Sequence, residues 1–430
     1  MKIFLTLAPS DRRNLLVLFA AGLVYWSGIT TLLPTLPAYV EDIGGTTQQV
    51  GMVMGAFAIG LLLFRPWLGR RVDGQSRKGV LLLGTVVAAI APLGYLFVHS
   101  IPLLIAVRAF HGISIAAFTT AYSTLVVDLS PLAVRGELVG YMSLVQPIGV
   151  ATGPAVGGLL QAAAGYPPLF LLASGLGLLS TLGAYQIADS RIGANFPENS
   201  SEKPISCQNS PSSENLREMT PASNQFWQLL LSPRLLVPAL VMLLIGLAFG
   251  ALSTFVPLYI RETKVDLNAG WFYTAAAIAS FSLRLFIGRA SDRFGRGLFI
   301  TGSLACYAIA MLILSRANSA GEFLLAGFVE GAGGGTLFPM MIALIADRSF
   351  PHERGRIFAL CVGGFDLGMA IAGPVLGSVA PQLGYRGIFT LATGLAFLAL
   401  LIFLTQSSKN LSHSLKFALG RESDRYALEK

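Results

Sequence analysis

The stretch Gly69-Arg-Arg-Val-Asp73-Gly-Gln-Ser-Arg77-Lys78 recurs further along the chain, shifted by 219 positions, as Gly288-Arg-Ala-Ser-Asp292-Arg-Phe-Gly-Arg296. The same shift superposes Arg65 on Arg284, Gly112 on Gly331, Asp128 on Asp347, Arg135 on Arg354 and Gly149 on Gly368. A shift of 220 superposes Gly153-Pro154 and Gly157 on Gly373-Pro374 and Gly377. Chance rarely aligns so many charged residues at one offset. The pattern predicts two homologous halves, arranged as the parallel repeats typical of transporters.

The composition around these stretches indicates a membrane protein. Of the 430 residues, 54% are hydrophobic and 12% are charged, and the mean hydropathy is +0.67. Soluble domains carry about 25% charged residues, so this chain cannot cover a water-facing surface of the usual kind. The three cysteines (Cys207, Cys306 and Cys361) are too few and too scattered to indicate a disulfide scaffold.

Apolar runs of the length that a membrane helix needs, about 20 residues, occur twelve times. We predict an all-α membrane protein with two pseudo-symmetric six-helix bundles at 1–188 and 233–408, a cytoplasmic linker at 189–232 and a cytoplasmic tail at 409–430. The predicted spans are 14–38, 48–69, 79–98, 101–127, 137–163, 167–188, 233–260, 267–288, 297–315, 319–346, 356–381 and 386–406.

The basic residues predict the orientation. Of the 30 Lys and Arg residues, 24 fall in segments that share one side of the predicted membrane. Cytoplasmic loops carry an excess of Lys and Arg, so we expect both termini in the cytoplasm. The net charge of +8 then reflects topology and not a nucleic-acid-binding surface. The amino terminus does not resemble a transit peptide, which favours an inner or plasma membrane.

Three motifs resemble those of the major facilitator superfamily over nearly the whole chain except the linker and tail. The 69–78 stretch is similar to its loop 2–3 signature, G-x-x-x-D-x-x-G-R-[RK], with Ser76 where glycine is usual. Arg108-Ala-Phe-His-Gly112 resembles the R-x-x-x-G element of helix 4. Gly149-Val-Ala-Thr-Gly153-Pro154-Ala-Val-Gly157-Gly158 resembles the helix 5 element of the drug:proton antiporter group. The resemblance implies twelve helices, export by alternating access and action as a monomer.

Two sets of candidate residues follow from these motifs. By resemblance, Asp73 meets helix 11 near Gly355 and Arg356, and Asp292 meets helix 5 near Gly136; the alternative is that these charges only set the topology. The gating candidates are Gly69, Asp73, Arg77, Lys78, Arg135, Gly288, Asp292, Arg296, Arg354 and Arg356. The helix-pivot candidates, for which plain tight packing is the alternative, are Gly149, Gly153, Pro154, Gly157, Gly373, Pro374 and Gly377.

Ionisable groups within a membrane are costly and are usually functional. Asp366 and Glu330 lie near the middle of their predicted spans, His111 lies at the repeat position of Glu330, and Arg108 is one turn away. We predict that these four residues couple protons to transport. The alternatives are that the carboxyl groups are permanently neutral or paired with Arg108, that Arg108 only fixes helix 4, and that His111 is a core residue. Arg284 and its repeat partner Arg65 are expected at an interface or gate.

The family architecture implies a central cavity lined by helices 1, 4, 7 and 10. Aromatic side chains with few charges suit an amphiphilic or cationic organic solute. The alternative is that these aromatic residues belong to the core or face lipid. The cavity candidates are Tyr25, Trp26, Phe118, Tyr122, Phe249, Phe255 and Phe338, with Gln146 as a polar contact.

The sequence therefore predicts a secondary transporter that exports a small organic solute in exchange for protons. Neither a P-loop nor an H-E-x-x-H motif is present, so we expect no enzyme activity and no cofactor, with a proton gradient as the energy source. The expected partners are the solute, protons and the bilayer. Proton-coupled uptake of a metabolite stays open as an alternative, as does a receptor or scramblase on the same scaffold.

Overall fold

The computed structural model describes residues 7–74, 76–131, 134–187, 232–350 and 354–428, and these are mostly helical. The predicted linker 189–232 lies outside the described residues apart from Ser232. The helices are α1 (Pro9–Thr30), α2 (Leu36–Asp42), α3 (Thr47–Gly74), α4 (Arg77–Phe97), α5 (Ile101–Leu129), α6 (Arg135–Met142), α7 (Val145–Ala164), α8 (Tyr166–Gln186), α9 (Pro233–Glu262), α10 (Ala269–Phe294), α11 (Arg296–Arg316), α12 (Ala320–Asp347), α13 (Arg354–Gln406) and α14 (Leu411–Ala418).

Within the described residues, ten segments are long and apolar enough to cross a membrane, counting α6 with α7 as one and α13 as one. α13 is bent at Gly384, where φ is 63° and the backbone leaves the helical conformation. The two arms on either side of this bend correspond to the last two predicted spans. Glycine adopts such a positive φ without steric cost. α10, with 26 residues, is also long enough to cross about 30 Å of hydrocarbon. The prediction of an all-α fold with twelve spans is confirmed.

The repeat governs packing within each half. α5 packs on α3 and α4 in the first half, as α12 packs on α10 and α11 in the second. A Cβ at Gly112 would lie 2.0 Å from the Phe57 carbonyl oxygen, and one at Gly331 would lie 1.8 Å from that of Ala276. Ala276 is the repeat partner of Phe57. The glycine of the R-x-x-x-G element therefore serves the same close helix contact in both halves.

The two halves meet along two interfaces, α3 with α13 and α7 with α10. The repeat exchanges them, because α3 corresponds to α10 and α7 to the first arm of α13. In the following sections, the terminal side is the end of the bundle where α1 begins and α13 ends, and the distal side is the opposite end.

The two copies of the loop signature start their next helix differently. Ser76 is extended, with φ −157°, and its Oγ accepts a hydrogen bond from the Gly79 N–H at 2.9 Å. Its repeat partner Gly295 has φ +83° and makes no side-chain cap. A serine at the N-cap satisfies one of the unpaired N–H groups of the helix start. Ser76 thus has a local structural role at the position where the sequence departs from the family pattern.

Candidate functional site

Asp366 lies at the interface between the halves, where Arg65 of α3 faces it from the opposite half. The Arg65 Nη1 to Asp366 Oδ2 distance is 2.7 Å, and the side chains are 25% and 6% exposed. The contact is an ion pair without an aligned hydrogen bond, since Asp366 Oδ2 accepts none from the described residues. Asp366 therefore pairs with Arg65 across the contact between the halves and not with Arg108.

The ion pair occurs at only one of the two repeat-related interfaces. Arg284 of α10 is the repeat partner of Arg65, but position 147, the partner of Asp366, is a proline. Arg284 Nε instead donates to the Gly335 carbonyl at 3.1 Å, within its own half. The duplication thus kept the arginine, while only the α3–α13 interface has the carboxylate.

Glu330 lies in a different environment, inside the C-terminal half. It is 6% exposed, and the Tyr307 hydroxyl of α11 hydrogen-bonds to its carboxylate. The Tyr273 hydroxyl of α10 is buried nearby and has no hydrogen-bond partner among the described residues. These tyrosines come from helices of the same half, so Glu330 is separated from the inter-half contact of Asp366.

His111 repeats this arrangement in the N-terminal half. It is fully buried, and its Nδ1 lies 3.1 Å from the Tyr95 hydroxyl of α4. Arg108 lies beside it, with its guanidinium carbon 4.2 Å from the centre of the Phe57 ring and a hydrogen bond to Tyr95. In each half, the ionisable residue at this repeat position is therefore bonded to a tyrosine of the preceding helix: His111 of α5 to Tyr95 of α4, and Glu330 of α12 to Tyr307 of α11.

The aromatic cavity candidates divide into two groups by exposure. Tyr25 stacks on Phe118 at 3.7 Å between ring centroids, and Phe118 stacks on Tyr122 at 5.2 Å. These three residues and Phe255 are buried, so for them the structure favours core packing, the alternative reading of the sequence. Trp26, Phe249 and Phe338 keep partly exposed surface, and Gln146 is exposed.

Phe365 is a residue of this group that sequence reasoning missed. Its ring lies 5.5 Å from that of Phe249 and 5.4 Å from that of Phe338, centroid to centroid. The three rings join α9, α12 and α13 into one partly exposed aromatic cluster, and Phe365 directly precedes Asp366 in α13. Aromatic residues occur throughout these spans, so the sequence distinguished Phe365 from the others only by its position before Asp366.

The predicted gate contains two ion pairs related by the repeat, each within one half. Arg77 at the start of α4 pairs with Asp128 at the end of α5, and Arg296 at the start of α11 pairs with Asp347 at the end of α12. Asp128 and Asp347 appeared in the sequence as repeat partners but not as gating candidates. Their positions at the ends of apolar helices were the available signal.

The other gating candidates make local contacts or fall outside the description. Lys78 Nζ lies 5.3 Å from the centre of the Tyr185 ring, and Arg135 Nε donates to the Ser130 carbonyl at 3.4 Å. A Cβ at Gly69 or Gly136 would have no described atom within 4 Å. The structure does not describe the side chains of the remaining gating candidates Asp73, Asp292, Arg354 and Arg356, or the packing around Gly288.

The pivot candidates face different partners in the two halves. Cβ atoms at Gly149, Gly153 and Gly157 would touch α1 or the residue that follows it, at 2.1–2.4 Å. Cβ atoms at Gly373 and Gly377 would touch the Gly51 and Thr47 carbonyl oxygens of the opposite half, at 2.2 and 2.8 Å. The shift of 220 that aligns the motifs is one residue longer than that of the fold, and one residue turns a helix face by about 100°.

The distal side is bridged between the halves. Arg261 Nη1 of α9 lies 2.5 Å from Asp42 Oδ1 and 3.3 Å from Glu41 Oε2 of α2, and Tyr166 donates to Asp42 Oδ2 at 2.5 Å. Cavities of about 610 and 540 Å³, both lined by residues of both halves, adjoin this bridge. The described ion pairs of the terminal side, in contrast, each stay within one half.

The model of the Major Facilitator Superfamily matches residues 18–270 and 264–423. The chain belongs to this superfamily. It is 24% identical to the staphylopine export protein of Staphylococcus aureus, over 90% of this chain and 94% of that protein. It is 25% identical to the multi-drug resistance efflux pump PmrA of Streptococcus pneumoniae, over 87% and 91% respectively. The crystal structure of the nucleoside transporter NupG has the same fold, with a TM-score of 0.70 at 13% identity, over 94% and 99%.

Membership of the Major Facilitator Superfamily makes this chain a multi-pass membrane transporter. The two inter-half interfaces are then the surfaces along which the bundles of a facilitator move relative to each other. Asp366 is the proton-coupling candidate that the structure places on such a surface. Glu330, His111 and Arg108 lie inside single bundles.

Proposed function

We propose that this protein is a proton-coupled exporter of a small amphiphilic or cationic organic solute. It works as a monomer in the plasma (inner) membrane, with the terminal side in the cytoplasm. The Arg65–Asp366 ion pair carries the proposal, because it joins the two moving halves through a group that can bind a proton. A gradient of protons supplies the energy, and no other cofactor takes part.

Protonation of Asp366 couples the proton to the conformational change. A neutral carboxyl no longer attracts the Arg65 guanidinium, so proton binding weakens the α3–α13 contact. Loss of the proton restores the ion pair. The free energy of the inter-half contact therefore depends on whether the site is occupied by a proton, which is what coupling requires.

The solute site of this proposal is the partly exposed aromatic cluster of Phe249, Phe338 and Phe365, whose member Phe365 precedes Asp366 in α13. A cationic or amphiphilic solute packs on such rings and is attracted by the ionised carboxylate. Proton and cation then exclude each other at Asp366, which gives exchange of one for the other.

The Arg261–Asp42 bridge joins the halves on the distal side. Arg77–Asp128 and Arg296–Asp347, at described helix ends of the terminal side, each lie within one half. The export direction is supported by relatives whose names describe drug efflux and staphylopine export.

Everted membrane vesicles with an acid interior test this function. A pH-sensitive dye inside the vesicles reports proton efflux when cationic dyes, quinolones, staphylopine, sugars or nucleosides are added outside. We expect cationic or amphiphilic compounds to release protons with the native chain. Asp366→Asn should abolish this release, because an amide cannot carry the proton.

Matched variants separate the ion pair from general effects of charge loss. Arg65→Gln should lower proton release per solute several-fold, whereas Arg284→Gln, which removes the repeat-related arginine, should leave the ratio unchanged. Glu330→Gln should leave coupling intact if Asp366 is the coupling group. Solute movement without proton release would overturn the antiport proposal, and proton uptake with solute in the same direction would establish the symport alternative.

A further inference from the structure

The segment that follows α13 packs across the terminal side of the C-terminal half. The Phe417 ring of α14 lies 6.1 Å from that of Phe403, centroid to centroid. Thr301 Oγ1 of α11 donates to the Ala418 carbonyl at 2.9 Å, and a Cβ at Gly297 would lie 2.1 Å from the Phe417 carbonyl oxygen. Residues 407–428, which we call the strap, are therefore fitted closely against the start of α11.

A fully buried arginine holds the strap in place. Arg348, in the turn after α12, is 0% exposed and donates from Nε and Nη2 to the two carboxylate oxygens of Asp424, at 2.7 and 3.0 Å. Its other contacts are the Arg234 carbonyl at 3.0 Å and the Ser407 carbonyl at 2.8 Å. One guanidinium thus connects the start of α9, the end of α12, the end of α13 and the strap.

The charge of Arg348 makes Asp424 essential to this arrangement. A buried guanidinium without a carboxylate partner is strongly unfavourable, whereas carbonyl oxygens alone do not neutralise it. Asp424 pairs with it in the bidentate geometry that gives the strongest charge-assisted hydrogen bonds. The rings of Phe417 and Tyr426, with centres 5.8 and 5.2 Å from the guanidinium carbon, complete its surroundings.

The strap also touches the second ion pair of the gate. Asp347, the partner of Arg296, directly precedes Arg348, and its carbonyl accepts from the Leu428 N–H at 2.9 Å. At the other side of the gate, a Cβ at Gly420 would lie 2.7 Å from the Phe294 carbonyl oxygen, at the end of α10. The strap therefore contacts the backbone on both sides of the Arg296–Asp347 pair.

The first copy of the gate has no such arginine. The repeat partner of Arg348 is Leu129, which follows Asp128 of the Arg77–Asp128 pair. The two halves carry equivalent ion pairs, yet among the residues that the structure describes, a buried arginine that binds a strap lies behind the second pair only. This difference cannot come from a requirement of the shared fold.

We propose that Arg348 and Asp424 are positioning residues for the second gate copy. Through the strap they fix the Arg296–Asp347 pair to α9, α12 and α13, so that the terminal end of the C-terminal half moves as one rigid unit while the first copy is free to rearrange. The effect on transport rests on the function proposed above, whereas the effect on the gate itself does not.

Asp424→Asn in the full chain tests the proposal, with Asp424→Glu as the conservative variant and Glu422→Gln as the control. Glu422 lies in the strap but binds only strap residues: hydrogen bonds from His413 and Arg425 lower its pKa to about 2. Backbone hydrogen exchange is measured at residues 300–303, whose N–H groups bond to the first turn of α11, and at the repeat-related residues 81–84 of α4. Transport is measured in the vesicle assay.

Asp424→Asn should raise exchange at 300–303 at least ten-fold, leave 81–84 unchanged and lower the maximal transport rate several-fold without a change in KM. Asp424→Glu should restore part of both effects, and Glu422→Gln should behave like the native chain. Native exchange at 300–303, an equal rise at 81–84, or faster exchange with a native transport rate would each overturn the positioning role. If the native chain moves no solute in the assay, the proposed function fails, while the exchange data still decide whether the strap fixes the gate.

Discussion

At the scale of single residues, the contact between the halves depends on backbone groups that touch. A Cβ at Gly51 would lie 1.9 Å from the Gly373 carbonyl oxygen, and one at Gly373 would lie 2.2 Å from that of Gly51. Neither residue can gain a side chain unless α3 and α13 separate. The Arg65–Asp366 ion pair lies along the same interface, so its geometry depends on this close approach.

Gly373→Ala should therefore destabilise the protein, although alanine is the better helix former by about 1 kcal/mol. Overpacking of a tight contact costs about 1–3 kcal/mol, and here the opposing atom is backbone that cannot rotate away. Thermal unfolding in detergent would show a lower midpoint. Gly394→Ala in the second arm of α13 is the matched control, because its Cβ would meet no described atom within 4 Å. An equal midpoint for the two variants would contradict the argument.

At the scale of elements, the repeat places one ion pair at the same helix ends in each half. Arg77–Asp128 ties α4 to α5, and Arg296–Asp347 ties α11 to α12. Their side chains are 26–34% exposed, so each pair is partly screened by solvent. Such pairs contribute little to the free energy of unfolding, and their main effect is to fix the orientation of neighbouring helix ends.

Reversal of the first pair provides a direct test at this scale. Arg77→Asp alone should lower the transport rate several-fold, because two carboxylates then face each other at the end of α5. Arg77→Asp combined with Asp128→Arg should recover most of the rate, since the pair is restored with opposite polarity. Initial rates in the vesicle assay at equal protein level provide the measurement. A double variant no better than the single one would show that the ion pair does not act as a unit.

At the scale of the whole molecule, the protein is two bundles held together by the α3–α13 and α7–α10 contacts and, on the distal side, by the Arg261 bridge. Arg261 is 52% exposed, and exposed ion pairs contribute about 0–1 kcal/mol. A free energy of this size shifts a two-state equilibrium by up to about five-fold. The bridge is thus suited to bias the two conformations without locking the molecule in one.

Arg261→Ala should raise the population that is open on the distal side by up to about five-fold. Spin labels at Thr46 and Asp266, both exposed and on opposite halves of the distal side, would report a longer distance in this population. Lys264→Ala, which removes a nearby exposed cation outside the bridge, should leave the distance distribution unchanged. A native distribution in Arg261→Ala would mean that other contacts hold the distal side closed.

The sequence by itself determined the class of the protein, its twelve spans and its two homologous halves. The length of the apolar segments and the distribution of Lys and Arg decide how a chain inserts into a bilayer, so no tertiary information was needed to predict the spans. The repeat also identified Arg77 with Arg296 and Asp128 with Asp347 as equivalent positions, whereas the pairing of Arg77 with Asp128 and of Arg296 with Asp347 came from the structure. The strap could not be predicted in the same way, because Arg348 and Asp424 are 76 residues apart and belong to no repeat.

Only the tertiary structure decided which ionisable group lies between the halves. Asp366 and Glu330 looked alike in the sequence, both being single carboxylates in the middle of apolar helices. The rotation of each helix about its axis, set by side-chain packing with its neighbours, turns Asp366 toward Arg65 and Glu330 toward Tyr307. The same rotation separates the two glycine–proline motifs, since one residue of slippage turns a helix face by about 100°. Composition thus determines which segments can cross a membrane, while the packing of the helices determines which residues each side chain contacts.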